Sequence, residues 1–152
     1  MRQILFRGKC TDTGRWYEGQ YIHLHKTTYC FKEDYDRNPD NDIHQIVFEE
    51  MSDWGLPNRH LRAYVNPETV GQYTGLTDKN GKKIFEGDVL CFEDSTGRKY
   101  YGAVKYGGWN CDCCDGVYGF ITEKGLVDMR DYSSSYIAGN IHDNPELLEA
   151  QI

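Results

Sequence analysis

Short runs in which apolar and polar residues alternate recur along most of the chain and are separated by turn residues. Residues 3–9, 16–31, 44–50 and 61–65 follow this pattern, and convincing helical periodicity is scarce. Side chains of a strand point to alternate faces, so the pattern predicts short β-strands joined by tight loops. The polar residues 32–43 interrupt the strands, and their Asp and Asn content predicts an exposed loop.

Turn glycines are densest between residues 65 and 90. Within this run, Asn80-Gly81 is the preferred pair for a two-residue type I′ turn, whose central residues both need positive φ. The strand that follows is broken at Gly87-Asp88, where glycine relieves a backbone restriction and the Asp88 carboxylate can accept backbone hydrogen bonds. Two further strand-like runs then complete the pattern of a small β-barrel, and the order of these elements is similar to that of SH3-like barrels.

The end of the chain predicts a short helix. Asn144 can cap its N-terminus, and Pro145 suits the first position because that position needs no backbone N–H. The helix is expected to be about two turns long, so packing must hold it in place. The whole pattern predicts a mainly β protein of two parts. Residues 1–66 form an N-terminal β meander, and residues 67–152 form a barrel-like subdomain with a short C-terminal helical tail.

Four blocks of the sequence, residues 1–9, 14–19, 69–89 and 137–148, resemble in this order the YopX-like proteins, which are encoded largely in bacteriophages and integrated prophages. The resemblance implies a fold of coiled and bent β-sheets, a tendency to assemble into oligomers and no defined reaction. The blocks contain the turn and motif residues Gly71, Tyr73, Gly75, Asn80, Gly81, Gly87, Asp88, Gly139, Asn140, Asn144 and Pro145.

The charge and hydropathy of the chain limit the kinds of partner that it is expected to bind. The chain has 17 Lys and Arg against 24 Asp and Glu, a formal net charge of −7, so its average field repels phosphate backbones and anionic lipid. The sequence contains no apolar run of signal-peptide or membrane-spanning length, which predicts a cytoplasmic protein away from membranes, and the resemblance implies that the cytoplasm is that of a bacterial host cell. The six cysteines are then expected to be reduced thiols.

Three cysteines close together in sequence, Cys111, Cys113 and Cys114, form the first candidate site. The two residues between Cys111 and Cys114 are a spacing that lets one turn present two sulfurs to zinc. A second pair with this spacing is absent from the sequence, so a reduced loop at a hairpin tip is the preferred interpretation. A metal or redox protein is an alternative. We expect no cofactor.

Other ionisable residues are weaker candidates for a metal site or a catalytic site. His23 and His25 share one face of a predicted strand and could hold a transition metal, but no third ligand is evident, so a solvated or partly packed strand face is expected. Asp34 and Asp36 do not follow the EF-hand spacing. Glu86 and Asp88 could pair as acid and base, yet a turn role explains them, and the sequence predicts no catalytic residue.

Lysines and aromatic residues form the last candidate site. Lys79, Lys82 and Lys83 lie at a predicted turn, and Tyr101 lies in a following strand, an arrangement in which bases could stack while lysines bind phosphate. The net negative charge disfavours this nucleic-acid contact, and the aromatic residues can equally form a core. The sequence therefore predicts a non-enzymatic homo-oligomer that binds an unidentified macromolecule, with apolar residues of 137–152 buried between subunits. The alternative is a nucleic-acid-binding small barrel in phage replication or regulation.

Overall fold

The computed structural model describes residues 3–111, 114–122 and 134–149, and their main element is the antiparallel β-strand. The prediction of a mainly β protein is confirmed. Two short helices, α1 (Lys32–Arg37) and α2 (Glu146–Glu149), accompany the strands, and neither is long and apolar enough to span a membrane. The strands are β1 Phe6–Lys9, β2 Trp16–His25, β3 Asp42–Glu50, β4 Arg59–Tyr64, β5 Gly71–Thr77, β6 Lys83–Phe85, β7 Asp88–Glu93, β8 Lys99–Cys111, β9 Cys114–Thr122 and β10 Tyr136–Asn140.

The chain forms two compact units, residues 4–70 and residues 71–149 with Gln3. In the first unit the strands pair in the order β4-β3-β2-β1, each antiparallel to its neighbour. Ile46 of β3 is fully buried, and Leu5, Ala63 and Val65 are also buried. The predicted boundary after residue 66 lies close to this division, and whether each unit is an independent domain stays a prediction.

The second unit contains a four-stranded antiparallel sheet in the order β10-β7-β8-β9 and the hairpin formed by β5 and β6. Its buried cluster consists of Ile84, Leu90, Phe92 and Val104, with Ile137 packed against them. Strands β9 and β10 are the two edges of this sheet and do not pair with each other. A closed barrel is therefore not found among the described residues, and the SH3-like subdomain is not confirmed.

The turn between β5 and β6 differs from the predicted type I′ turn. Gly81 has a φ of 78°, but no described residue other than glycine has a positive φ, so Asn80 does not take the conformation that type I′ requires. The N–H of Gly81 donates to the Asp78 carbonyl, and the N–H of Asp78 donates to the Lys82 carbonyl. These bonds define a three-residue loop with glycine in the left-handed position. The turn type is different because the Asp78 carboxylate also binds the N–H groups of Asn80 and Lys82.

The segment predicted as an exposed loop, residues 32–43, contains α1 and a single 3-10 turn at Pro39–Asn41 before β3 begins. Asn41 is buried, and its side-chain amide exchanges two hydrogen bonds of 2.8 Å with the backbone of Thr27. The Asn41 carbonyl accepts a third bond from the N–H of Lys26. The Asn41 side chain thus supplies hydrogen-bond partners to backbone groups of Thr27. Such bonds between side chains and the backbone explain why a polar sequence takes an ordered form here.

Candidate functional site

Four ionisable side chains share one face of the β2–β3 pair in the first unit. His23 lies opposite His44, and His25 lies opposite Asp42 in the register of these two strands. Alternate residues of a strand point to the same face, so the two residues from each strand form a two-by-two array. We call these four residues the histidine–aspartate cluster. The same face leads from the buried Ile46 at one end to this solvent-accessible cluster at the other.

Short distances connect the members of the cluster. The Nδ1 atom of His25 lies 2.8 Å from Asp42 Oδ1, and the Nε2 atom of His23 lies 3.4 Å from the same oxygen. The rings of His23 and His44 are stacked, with centroids 4.6 Å apart and an interplanar angle of 11°. One ligand atom each of His23, Asp42 and His44 can be chosen so that all three lie within 4.8 Å of one another. These donor atoms converge on one small region of the sheet face.

Tyr21 fixes the orientation of His44. Its hydroxyl lies 2.6 Å from His44 Nδ1, and the two rings are stacked with centroids 6.0 Å apart. Burial, together with the charge of Asp42, raises the pKa of Tyr21, so the hydroxyl keeps its proton at neutral pH. Burial also lowers the pKa of His44, and the neighbouring His23 lowers it further while Asp42 opposes the change. His44 is thus held as a neutral imidazole whose Nδ1 is occupied by Tyr21.

Asp42 is the acceptor on which the histidines of β2 converge. Partial desolvation would raise the pKa of its carboxyl group, but hydrogen bonds with His23 and His25 outweigh desolvation, and the pKa is lowered. Asp42 is therefore ionised at neutral pH and acts only as an acceptor. The hydrogen bonds of Asn41 to Thr27 and Lys26 lie directly beside it in sequence and hold β2 and β3 together at this end.

An open cavity of about 470 Å³ lies beside the cluster and shares two of its residues. Tyr35 of α1 packs its ring against His25 with centroids 5.1 Å apart, and its hydroxyl accepts a hydrogen bond from the N–H of Tyr29. The helix that the sequence did not predict therefore forms part of the cavity wall. The lining residues are His25, Cys30, Phe31, Lys32, Tyr35, Asp36, Asn38 and Asp42.

Comparison with known proteins places the chain in a family. A family model described as YopX protein matches residues 5–149, which is nearly the whole chain. The chain belongs to the YopX family. No curated protein matches it. Among solved structures, the crystal structure of protein EF1440 from Enterococcus faecalis is similar, with 20% sequence identity, a TM-score of 0.47 and coverage of 97% of this chain and 99% of that chain.

The YopX resemblance that the sequence indicated is thus confirmed, but the family blocks do not contain the histidine–aspartate cluster. His23 and His25 were recognisable in the sequence, whereas the ligand candidates on the next strand, Asp42 and His44, were not. The signal that was missed is Asp42-x-His44, a second pair of residues two positions apart. This pair lies at the start of β3, directly after the 3-10 turn Pro39–Asn41. Assigning Asp42 to a polar loop concealed this spacing, because two residues of a loop need not share a face.

The turn and motif residues of the YopX blocks contact backbone groups. Asp88 Oδ2 accepts a hydrogen bond of 2.8 Å from the N–H of Phe85, across Gly87, whose φ is 85°. Asn140 Oδ1 accepts two bonds of 2.9 Å from the N–H groups of His142 and Asp143. At Gly71 a Cβ atom would overlap the Glu86 carbonyl oxygen, and at Gly139 it would overlap the side chain of Asn144.

The other motif residues lie in the same elements. Tyr73 of β5 pairs with Phe85 of β6, and Gly75 lies in β5 with a φ of 88°. Pro145 precedes α2, and its carbonyl accepts a hydrogen bond from the N–H of Leu148. The structure thus describes the surroundings of these residues without assigning them a ligand.

The residues of the predicted nucleic-acid contact, Lys79, Lys82, Lys83 and Tyr101, have different surroundings in the structure. Lys79 places its Nζ atom 4.6 Å from the ring centroid of Tyr136, whereas Lys82 and Lys83 are exposed at the β5–β6 turn. Tyr101 lies in β8 opposite Cys91 of β7.

The cysteine cluster is only partly described. Cys111 and Cys114 are register partners at the adjoining ends of β8 and β9, and Cys113 lies outside the described residues.

Proposed function

We propose that this YopX-family chain is a non-enzymatic phage or prophage protein that assembles with copies of itself and binds a macromolecular partner. The observation that supports this function is the loop between β3 and β4. This loop contains Met51, Trp54 and Leu56, which are 62%, 88% and 60% exposed to solvent. Exposed clusters of large apolar side chains mark interaction sites, and tryptophan is enriched among residues that dominate binding energy.

The loop presents its tryptophan on a preformed turn. The N–H of Trp54 donates to the carboxylate of Asp53 at 2.7 Å, and the N–H of Leu56 donates to the Asp53 carbonyl at 3.2 Å. An ion pair between Arg59 and Glu50 closes the base of the hairpin. Because the loop is already ordered, binding loses less conformational entropy, and burial of an exposed Leu or Met side chain gains about 1.5–3 kcal/mol.

Strand β4 adjoins this loop and lies at the edge of the sheet in the first unit. An edge strand presents backbone hydrogen-bonding groups that can pair with another strand. A second copy of the chain is the partner we favour at this edge, since the YopX resemblance implies a tendency to form oligomers and a twofold contact brings the same loop and edge from both subunits together.

The contact predicted from the sequence was the apolar part of residues 137–152. Within its described residues, Ile137 packs against the buried cluster of the second unit and Leu147 lies half-buried, next to Gly139. Ile141 is exposed, but less than any of the three apolar residues of the β3–β4 loop. The exposure of the described residues thus favours the loop as the contact, and the tail contact remains a prediction.

Light scattering on the purified chain tests the proposal. We expect a single multiple of 17.6 kDa at micromolar concentration. Replacing Trp54 with Ser should weaken assembly by at least about 2 kcal/mol, which is about 30-fold in the dissociation constant. The matched control is Ile4→Ser, which changes another exposed apolar residue of the same unit and should leave the mass unchanged. A monomeric wild-type chain would refute self-assembly, and an unchanged mass of Trp54→Ser would exclude the loop as the contact.

A further inference from the structure

We propose that the histidine–aspartate cluster is a binding site for one divalent transition-metal ion of the zinc class, with His23, Asp42 and His44 as its ligands. Their ligand atoms lie within 4.8 Å of one another in the first unit, on neighbouring strands. The inference stands apart from self-assembly, because it concerns a different surface of the unit and a different partner.

The distances between the donor atoms agree with zinc coordination. In a tetrahedral site with bonds of 2.0–2.1 Å, two ligand atoms are about 3.4 Å apart. The Nε2 atom of His23 and Oδ1 of Asp42 have this separation, 3.4 Å, and an ion that binds them replaces the proton that His23 shares with Asp42. The remaining ligand atom, from His44, is at most 4.8 Å from the other two, so side-chain rotation of about an ångström brings all three to coordination distance.

The strand register holds these ligands close together. Asp42 and His44 are two residues apart on β3, and His23 is directly opposite His44 on β2. The bonds between Asn41 and Thr27 hold the two strands together at the end where Asp42 lies. A site built on paired strands loses less freedom on metal binding than one built on a loop.

Two further residues act as positioning residues. Tyr21 lies 2.6 Å from His44 Nδ1, and when Nδ1–H donates to the tyrosine oxygen, the lone pair of His44 Nε2 is available to the metal. His25 donates from Nδ1 to Asp42 Oδ1 at 2.8 Å and orients the carboxylate. Hydrogen bonds of this kind, made by a ligand to a second layer of residues, are typical of metal sites and commonly change metal affinity by about 10–100-fold.

The donor set determines the class of metal. Two imidazole nitrogens and one carboxylate oxygen suit Zn²⁺ and its neighbours in the first transition row, whereas Ca²⁺ and Mg²⁺ need six or more oxygen ligands or tightly held water. Three protein ligands leave the fourth tetrahedral position open to water. His23 and Asp42 are both partly exposed to solvent, so an ion can reach the site.

Isothermal titration of the tag-free, chelator-treated full chain with Zn²⁺ tests the site. We expect one equivalent per chain with micromolar or tighter affinity, no saturable binding of Mg²⁺ or Ca²⁺, and the visible absorption of tetrahedral Co²⁺ when Co²⁺ replaces Zn²⁺. The variants Asp42→Asn and His23→Gln should each lose at least about tenfold in affinity, and Tyr21→Phe should lose about 10–100-fold while keeping one equivalent.

Two controls distinguish this site from others in the chain. His60→Gln changes an exposed histidine of β4 outside the cluster and should bind Zn²⁺ like the wild type. The triple replacement of Cys111, Cys113 and Cys114 by Ser should also retain binding. Absence of Zn²⁺ binding to the wild-type chain would overturn the proposal, as would binding that the cysteine replacements abolish and Asp42→Asn retains. Circular dichroism of each variant verifies that the strands have formed.

Discussion

Two turns of the second unit have the same sequence pattern, and they differ in the more distant group that the Oδ2 atom of each aspartate binds. Asp78 and Asp94 each begin a turn that ends in a glycine with positive φ, and the Oδ1 atom of each accepts bonds from the N–H groups two and four residues later. The Oδ2 atom of Asp78 accepts a bond of 3.1 Å from the N–H of Ile137 in β10, whereas the Oδ2 atom of Asp94 accepts one of 3.1 Å from the Tyr100 hydroxyl, six residues away. Asp78 is buried, so its carboxylate connects the β5–β6 turn to a strand 59 residues away.

We predict that Asp78→Ala is much more destabilising than Asp94→Ala. Removing the Asp78 carboxylate leaves the N–H of Ile137 without its partner in a partly buried position, which costs about 1–3 kcal/mol. The two N–H groups in the turn can bind water instead, so they add about 1 kcal/mol together. The expected loss for Asp78→Ala is thus about 2–4 kcal/mol. Asp94→Ala removes three exposed hydrogen bonds and one to the Tyr100 hydroxyl, which can rotate to bind water, so its loss should be clearly smaller.

Urea unfolding of both variants and the wild type measures this difference, and hydrogen exchange at residues 136–140 locates it. We expect faster exchange of these β10 amides in Asp78→Ala and unchanged exchange in Asp94→Ala. Asp78→Asn is a second test, since in either amide orientation one side of the group loses an acceptor. Equal losses of stability in Asp78→Ala and Asp94→Ala would refute the reasoning, because the connection to β10 would then contribute nothing.

Two other predictions concern the pH dependence and the close packing of the second unit. Hydrogen bonds from Thr96 and Arg98 lower the pKa of Asp94 to about 2 from 3.8, so Asp94→Asn should be less stable than the wild type at pH 7. Because the folded-state pKa is depressed, this difference should decline as the pH falls below 3.8 and vanish below about 2, and an equal difference in urea unfolding at both ends of the range would contradict it. Gly71→Ala should cost about 1–3 kcal/mol in the free energy of unfolding, because the new methyl group overlaps the Glu86 carbonyl oxygen. Gly107→Ala, whose Cβ would meet Ile121 at an ordinary 3.5 Å, is the control, and equal stability losses for the two would disprove the steric account.

The strands and the positions of the turns were predictable from the sequence, because both depend on residues that are neighbours in the chain. The alternation of residues 44–50 and 61–65 predicted β3 and β4, and the Asn80-Gly81 pair placed the β5–β6 turn. The type of that turn was not predictable from the pair alone. The Asp78 carboxylate, which lies outside this pair, binds the N–H groups of Asn80 and Lys82 and so contributes to the turn type.

The short helix α1 shows why a polar segment was misread. Its residues lack an apolar stripe, and the segment is instead ordered by polar contacts, such as the bond from the N–H of Tyr29 to the Tyr35 hydroxyl and the bonds from Asn41 to Thr27. Such contacts have no period in the sequence. The barrel prediction failed for a different reason, since closure requires the two edge strands of the sheet to pair, and β9 and β10 do not pair although they are consecutive among the described strands.

The sequence by itself determined the family, the mainly β character and the pair His23 and His25 on one strand face. Only the tertiary structure decided that Asp42 and His44 lie opposite them, because cross-strand register depends on the folded segment 26–41 between β2 and β3 and on the packing of the buried Ile46. Spacing along one strand is fixed by backbone geometry, whereas proximity between strands is decided by the interactions of residues about twenty positions apart. For this reason two residues of the histidine–aspartate cluster, but only one of the three proposed metal ligands, were visible in the sequence.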